Sequence, residues 1–127
     1  MKKLFILMNH DLLESQIKEA KEILKVDEIV NLSDKSWASI DPCEEKITDY
    51  LITYKNRLYV EAKKDDYLLV QGDFGTTYNM VNFAFANGIV PIYATTKRIF
   101  NEKTVEGKIV ITREFVHARF RKYENEQ

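Results

Sequence analysis

The chain has 127 residues, 45% of them hydrophobic and 31% charged, and 19 Lys/Arg against 20 Asp/Glu leave a formal charge of −1. That is one domain with enough apolar material for a core, and its balance excludes a protein that coats polyanions generally. The single cysteine, Cys43, excludes an internal disulfide, and no residue cluster has metal-ligand spacing.

The apolar run after Met1-Lys2-Lys3 stops at Asn9-His10. It is too short for a signal peptide or a membrane span, so a reduced, cytoplasmic setting is expected. Leu4 to Met8 reads as a buried strand. Leu12 to Leu24 follows as a helix, because Leu13, Ile17, Ala20 and Leu24 share a face. Asp11 is its expected N-cap, with Glu14 at capping-box spacing. Val26 to Leu32 reads as the second strand, and Ser33 to Ile40 as a loop holding the only tryptophan, Trp37. Asp41-Pro42 is expected to open a helix, with proline at its first position and Ile47, Tyr50, Leu51 and Tyr54 on its apolar face. A short helix is expected over Arg57 to Lys64, with Leu58, Tyr59 and Ala62 inward.

Tyr67 to Gln71 is a non-alternating apolar run, the signature of a strand covered on both faces. Gly72-Asp73-Phe74-Gly75-Thr76-Thr77 turns it into a helix from Thr76 to Asn87, where Met80, Val81, Phe83, Ala84, Phe85 and Ala86 nearly surround the axis and predict burial on most sides. Gly88 ends that helix. Ile89 to Ala94 is the fourth strand, ending at Thr95-Thr96-Lys97-Arg98. Glu106-Gly107 has hairpin chemistry. Lys108 to Tyr123 alternates over a long span, but its apolar side switches near Arg113 to Phe115, which predicts a bend or bulge there. The fold expected is a single α/β domain over 1–127, a mostly parallel sheet flanked by helices with a C-terminal antiparallel hairpin.

In such sheets ligands gather outside the carboxyl ends of the strands. Gln71, Asp73, Thr76, Thr77, Thr95, Thr96 and Arg98 fall there, with Asn9 and His10 after the first strand. The 72–77 turn has the physics of an anion cradle, two glycines feeding a helix N-terminus, and equally that of a tight turn with its own cap. Asp73 is a candidate base or ribose ligand, or that cap. His10 is a candidate acid, base or phosphate donor. Arg98 is the best phosphate clamp, since guanidinium binds phosphate bidentately. Between Lys97 and Lys122 eight Lys/Arg face three Glu. His117 is expected among Arg119 and Arg121 on one strand face, where cations would depress its pKa. That basic strand also leaves open an RNA-binding reading.

The runs Leu69 to Phe85, Ile89 to Arg98 and Phe115 to Tyr123, with the opening Met8-Asn9-His10 and the helix after it, resemble small stand-alone Csx-type proteins found beside type III CRISPR systems. The middle, Ser33 to Asp66, matches only through Trp37 and Pro42. The resemblance implies a reduced CARF domain, a Rossmann-like fold that binds cyclic oligoadenylate messengers. It implies a ring nuclease that cleaves the messenger, most simply cyclic tetra-adenylate, without metal or cofactor and through the ribose 2′-hydroxyl. It also implies a homodimer; the short apolar opening argues against a membrane partner, and the modest, local basic excess against a long nucleic acid. On this reading Arg98, His10 and Asp73 are the catalytic candidates. Asn9, Gln71, Gly72, Phe74, Gly75, Thr76, Thr77, Thr95, Thr96, His117 and Arg119 are the ligand-binding ones. A binding-only sponge or sensor is the alternative.

Overall fold

A computed structural model of the protein describes residues 1–125. Five strands form one sheet: β1 (Lys3–Leu7), β2 (Glu28–Asn31), β3 (Tyr67–Val70), β4 (Val90–Val105) and β5 (Lys108–Lys122), in the order β2-β1-β3-β4-β5. The first four run parallel, and β5 is antiparallel to β4. Strand alternation sends Phe5, Leu7, Leu68 and Val70 to one face and Leu4, Ile6 and Leu69 to the other.

The helices α2 (Lys35–Ala38), α3 (Thr48–Glu61) and α4 (Phe74–Ala86) cover the first face, through Trp37, Leu51, Tyr54, Leu58, Met80 and Ala84. The single helix α1 (Glu14–Glu22) covers the second through Ala20. Because the chain steps from β1 to β2 on one side and returns to β3 on the other, crossovers of one hand must use opposite faces. The strand order therefore reverses between β1 and β3. Asp66, buried at the start of β3, ties the opposite end of the sheet by accepting the N–H groups of Lys3 at 3.0 Å and Lys63 at 2.8 Å. No helix among the described residues is long and apolar enough to cross a membrane.

Several local expectations fail for identifiable reasons. Asp11 does not cap α1; the Leu13 N–H is taken instead by Gln16, whose Oε1 reaches back at 2.9 Å. Asp41-Pro42 opens no helix. The Asp41 carboxylate accepts the Cys43 N–H at 2.9 Å, its carbonyl accepts that of Glu44, and the turn so made delays α3 until Thr48. Helix α3 then runs unbroken to Glu61, with Leu58 buried and Tyr59 outward in solvent. The Ser33–Ile40 loop contains α2, capped by Asp34. Helix α4 begins at Phe74 and buries one stripe, Thr76, Met80 and Ala84, rather than most of its circumference; Phe74 and Tyr78 are exposed.

The fourth strand does not stop at Ala94. Its parallel pairing with β3 is last seen at Leu69–Ile92, and it then continues with β5 as a two-stranded arm closed by Glu106 and Gly107, both at positive φ as a tight hairpin turn requires. The bulge lies at Ala118, between the pairs Thr95–Arg119 and Thr96–His117, and not near Arg113 to Phe115. From Lys97 to Val105 both faces of the arm are exposed, so no change of apolar side is required there.

Candidate functional site

Sheets of this kind bind ligands where the strand order reverses, outside the carboxyl ends. Here that point lies between the segments after β1 and β3. The first carries Asn9 and His10, both exposed. His10 Nδ1 lies 3.2 Å from the Asp11 carbonyl, which can only accept, so this hydrogen bond needs the tautomer with its hydrogen on Nδ1. A cavity of about 180 Å³ joins Asn9, His10 and Asp11 to Asn31, Ser33 and Asp34.

The second segment begins with Gln71. Its Oε1 accepts the Ala94 N–H at 2.8 Å, which leaves the amide nitrogen without a partner among the described residues. Its backbone carbonyl accepts from Trp37 Nε1 at 3.0 Å. Gly72 serves the same tryptophan: a Cβ there would lie 2.9 Å from Trp37 Nε1. The glycine therefore admits an indole ring, and this replaces its expected part in an anion cradle. Gly75 sits in the first turn of α4, where a Cβ would meet Ile47 at 3.4 Å.

Asp73 is the N-cap of α4. Its carboxylate accepts the Thr76 N–H at 3.1 Å, and its carbonyl accepts from Thr77 N at 2.9 Å and from the Thr76 hydroxyl at 3.0 Å. A carboxylate at the helix N-terminus occupies the field that an anion would use. Thr76 is buried and its hydroxyl is engaged within the turn. Thr77 lines a second cavity, of about 410 Å³, together with Gln71, Gly72, Phe74, Tyr93 and Tyr123. The Thr77 hydroxyl is buried and has no hydrogen-bond partner among the described residues.

Tyr93 and Tyr123 were not among the residues expected from sequence. Tyr93 sits at the level where β3 ends, so the strand-end rule alone could have found it; nothing in the sequence pointed to Tyr123. Their rings lie 4.7 Å apart. Arg121 lies over Tyr93 at 5.6 Å and donates to its hydroxyl at 3.2 Å, which places a guanidinium against the cavity wall. The Tyr123 hydroxyl donates to the Val70 carbonyl at 2.7 Å, and burial, with Tyr93 adding to it, pushes its pKa up from 10.0 to about 12. A raised phenol pKa leaves stability untouched below about pH 10 and erodes it as pH rises toward 12. Urea unfolding across that window should show the fall, and Tyr123→Phe should make it shallower.

The remaining candidates are not brought to this crevice. Thr95 is engaged across the bulge, donating to the Arg119 carbonyl at 2.9 Å. Thr96 is exposed at the base of the arm. Arg98 stands five residues beyond Tyr93, about 16 Å at the usual strand rise, stacked on Phe115 at 5.2 Å. It also lies on the opposite face of β4 from Tyr93, by strand alternation. His117 is not grouped with Arg119 and Arg121. The extra residue Ala118 turns it to the α1 face, where Nε2 meets Glu19 Oε1 at 2.6 Å while Glu19 Oε2 accepts the Phe120 N–H. His117 is thus a buried pin between α1 and β5. Arg119 is exposed and donates through Nε to the Phe120 carbonyl. No group of three or more His, Cys, Asp or Glu that could hold a metal occurs among the described residues.

Fold and site together define an α/β protein with a mostly parallel sheet and a crevice at the carboxyl ends of β1 and β3. The chain belongs to the Uncharacterized protein MJ1673 family, whose model matches residues 2–121. A relative from Methanocaldococcus jannaschii, Uncharacterized protein MJ1673, is 47% identical over 126 residues, covering 97% of this chain and 98% of that one. No solved structure matches the chain significantly. These matches carry no functional assignment.

Proposed function

We propose that the protein is a CARF-like, Rossmann-like ring nuclease that binds cyclic oligoadenylate, most simply cyclic tetra-adenylate, and opens it to end type III CRISPR signalling in the cytoplasm. The observation that carries the reading is the juxtaposition of two polar segments, Asn9-His10 and Gln71 to Thr77, at the point where the strand order reverses. The sequence resemblance falls on the same two segments.

In this reading the aromatic cavity of Phe74, Tyr93 and Tyr123 takes a base, with the Gln71 amide available to its edge. Asn9 holds the ring backbone. The ribose 2′-oxygen attacks the adjacent phosphorus, the bond from phosphorus to the 5′-oxygen breaks, and a linear chain with a 2′,3′-cyclic phosphate results. The 2′-hydroxyl proton leaves to solvent, and the His10 imidazole is the candidate to return one to the departing oxygen. Such an internal reaction asks the protein chiefly for in-line positioning and charge stabilisation. Arg121 beside Tyr93 offers the guanidinium that Arg98 does not bring to its own crevice. A homodimer matches the two-fold symmetry of the ring.

Binding without cleavage is the second reading. It is favoured by a cavity wall of Gln71, Gly72, Phe74, Thr77, Tyr93 and Tyr123, none of them charged. Incubation with labelled cyclic tetra-adenylate in EDTA, followed by product separation, decides between them. Linear product supports the nuclease, tight binding of an intact ring supports the sponge, and no binding removes both.

A further inference from the structure

The arm has two different faces. Cross-strand pairs share a side, so Arg98–Phe115, Phe100–Arg113, Glu102–Ile111 and Thr104–Ile109 lie on the face toward α1. The other face carries Lys97, Lys103, Lys108 and Glu114, with the aliphatic residues Ile99, Val105 and Val110 among them but no aromatic ring. On the first face Phe100, Ile109, Ile111 and Phe115 are 57%, 69%, 58% and 66% exposed, a continuous apolar stripe along most of a ribbon about 30 Å long. An isolated two-stranded hairpin is marginal in water, so a projecting one gains most from having its apolar face covered.

The charges beside the stripe indicate what covers it. Arg98 and Arg113 sit toward its base and Glu102 toward its tip. None of the three has a hydrogen bond or ion pair among the described residues; the arginines only stack on Phe115 and Phe100. A surface that neutralises nucleic-acid phosphates gains from cations and is weakened by a carboxylate such as Glu102. One that must match itself carries both signs, displaced along its length, because a two-fold axis across the arm runs two copies antiparallel and sets the arginine end of one against the Glu102 end of the other.

We propose that the arm is a dimerisation element: two copies pack stripe to stripe, antiparallel, about a two-fold axis, with the lysine-bearing faces outward. The interface holds whatever the ligand of the crevice is, so it stands or falls independently of the ring-nuclease reading.

Sedimentation velocity without ligand, at micromolar concentration, tests it. The wild type should be a dimer. Phe100→Glu and Ile111→Glu, both on exposed positions and expected to keep the circular-dichroism spectrum of the folded chain, should raise the dimer dissociation constant by about tenfold or more. Arg113→Glu and Glu102→Arg should each weaken the dimer, and the two combined should recover it. A monomeric wild type, or Phe100→Glu and Ile111→Glu proteins that stay fully dimeric, would overturn the proposal. A combined Arg113→Glu/Glu102→Arg variant no better than its parents would overturn the antiparallel arrangement. A wild-type monomer that shifts a labelled single-stranded RNA, and loses that shift on Lys97→Glu, would assign the arm to nucleic acid instead.

Discussion

Trp37→Ala should cost about 3–5 kcal/mol of folding stability, among the largest losses expected of a single substitution in this chain. Trp37 is 1% exposed, meets Tyr54 edge-on at 5.6 Å between centroids, and donates its indole N–H to Gln71. Truncation removes the ring's buried area, leaves a cavity between α2, α3 and β3, and strands the Gln71 carbonyl. The loss also reaches the crevice, because the Gln71 carboxamide holds Ala94. Asp34 completes the unit. It caps Trp37 N and accepts from the Tyr54 hydroxyl, which burial first and that bond second hold protonated above the usual phenol range. Trp37→Phe keeps most of the packing and loses the N–H, so its cost should be nearer 1–2 kcal/mol. Gly72→Ala attacks the same contact from the other side and should cost roughly 1–3 kcal/mol by overpacking. Urea unfolding followed by circular dichroism ranks the three. Equal losses for Trp37→Phe and Trp37→Ala would show that the indole N–H, and not the buried ring, dominates.

His10→Ala should slow single-turnover ring opening roughly hundredfold and leave equilibrium binding of cyclic tetra-adenylate nearly unchanged. His10 is exposed, and its one hydrogen bond among the described residues joins Nδ1 to the Asp11 carbonyl. A fall in rate therefore reports chemistry rather than folding. Asn9→Ala is the control expected to lose affinity. If rate and affinity fall together in His10→Ala, the imidazole positions the ring and does not move a proton. An unchanged rate would take it out of the reaction.

Much of the architecture was legible because buried strands announce themselves. Leu4 to Met8 and Tyr67 to Val70 are apolar without alternation, and Glu106-Gly107 marks the hairpin turn for want of any other residue pair there that accepts two positive φ values easily. The errors arose where one polar atom chose among backbone groups. Gln16 reached Leu13 before Asp11 could cap it, and the Asp41 carboxylate took the Cys43 N–H that a helix start at Pro42 would have left free. Thr76 and Thr95 looked like ligand hydroxyls, but each found a carbonyl of its own chain. His117 was misplaced by a single residue: a bulge at Ala118 reverses every side chain beyond it, and alternation in the sequence cannot say where the slip falls. Arg98 was misplaced because a strand can outrun its sheet, and nothing in Thr95 to Arg98 distinguishes an end from a continuation.

The proposed placement of a ligand at the carboxyl ends of β1 and β3 is tested most directly by amide hydrogen exchange of the protein with and without saturating cyclic tetra-adenylate. Protection should concentrate in the segments Met8 to Asp11 and Gln71 to Thr77, and reach the strands around Tyr93 and Tyr123. Protection confined to the arm between Lys97 and Val116, with those two segments unchanged, would contradict it.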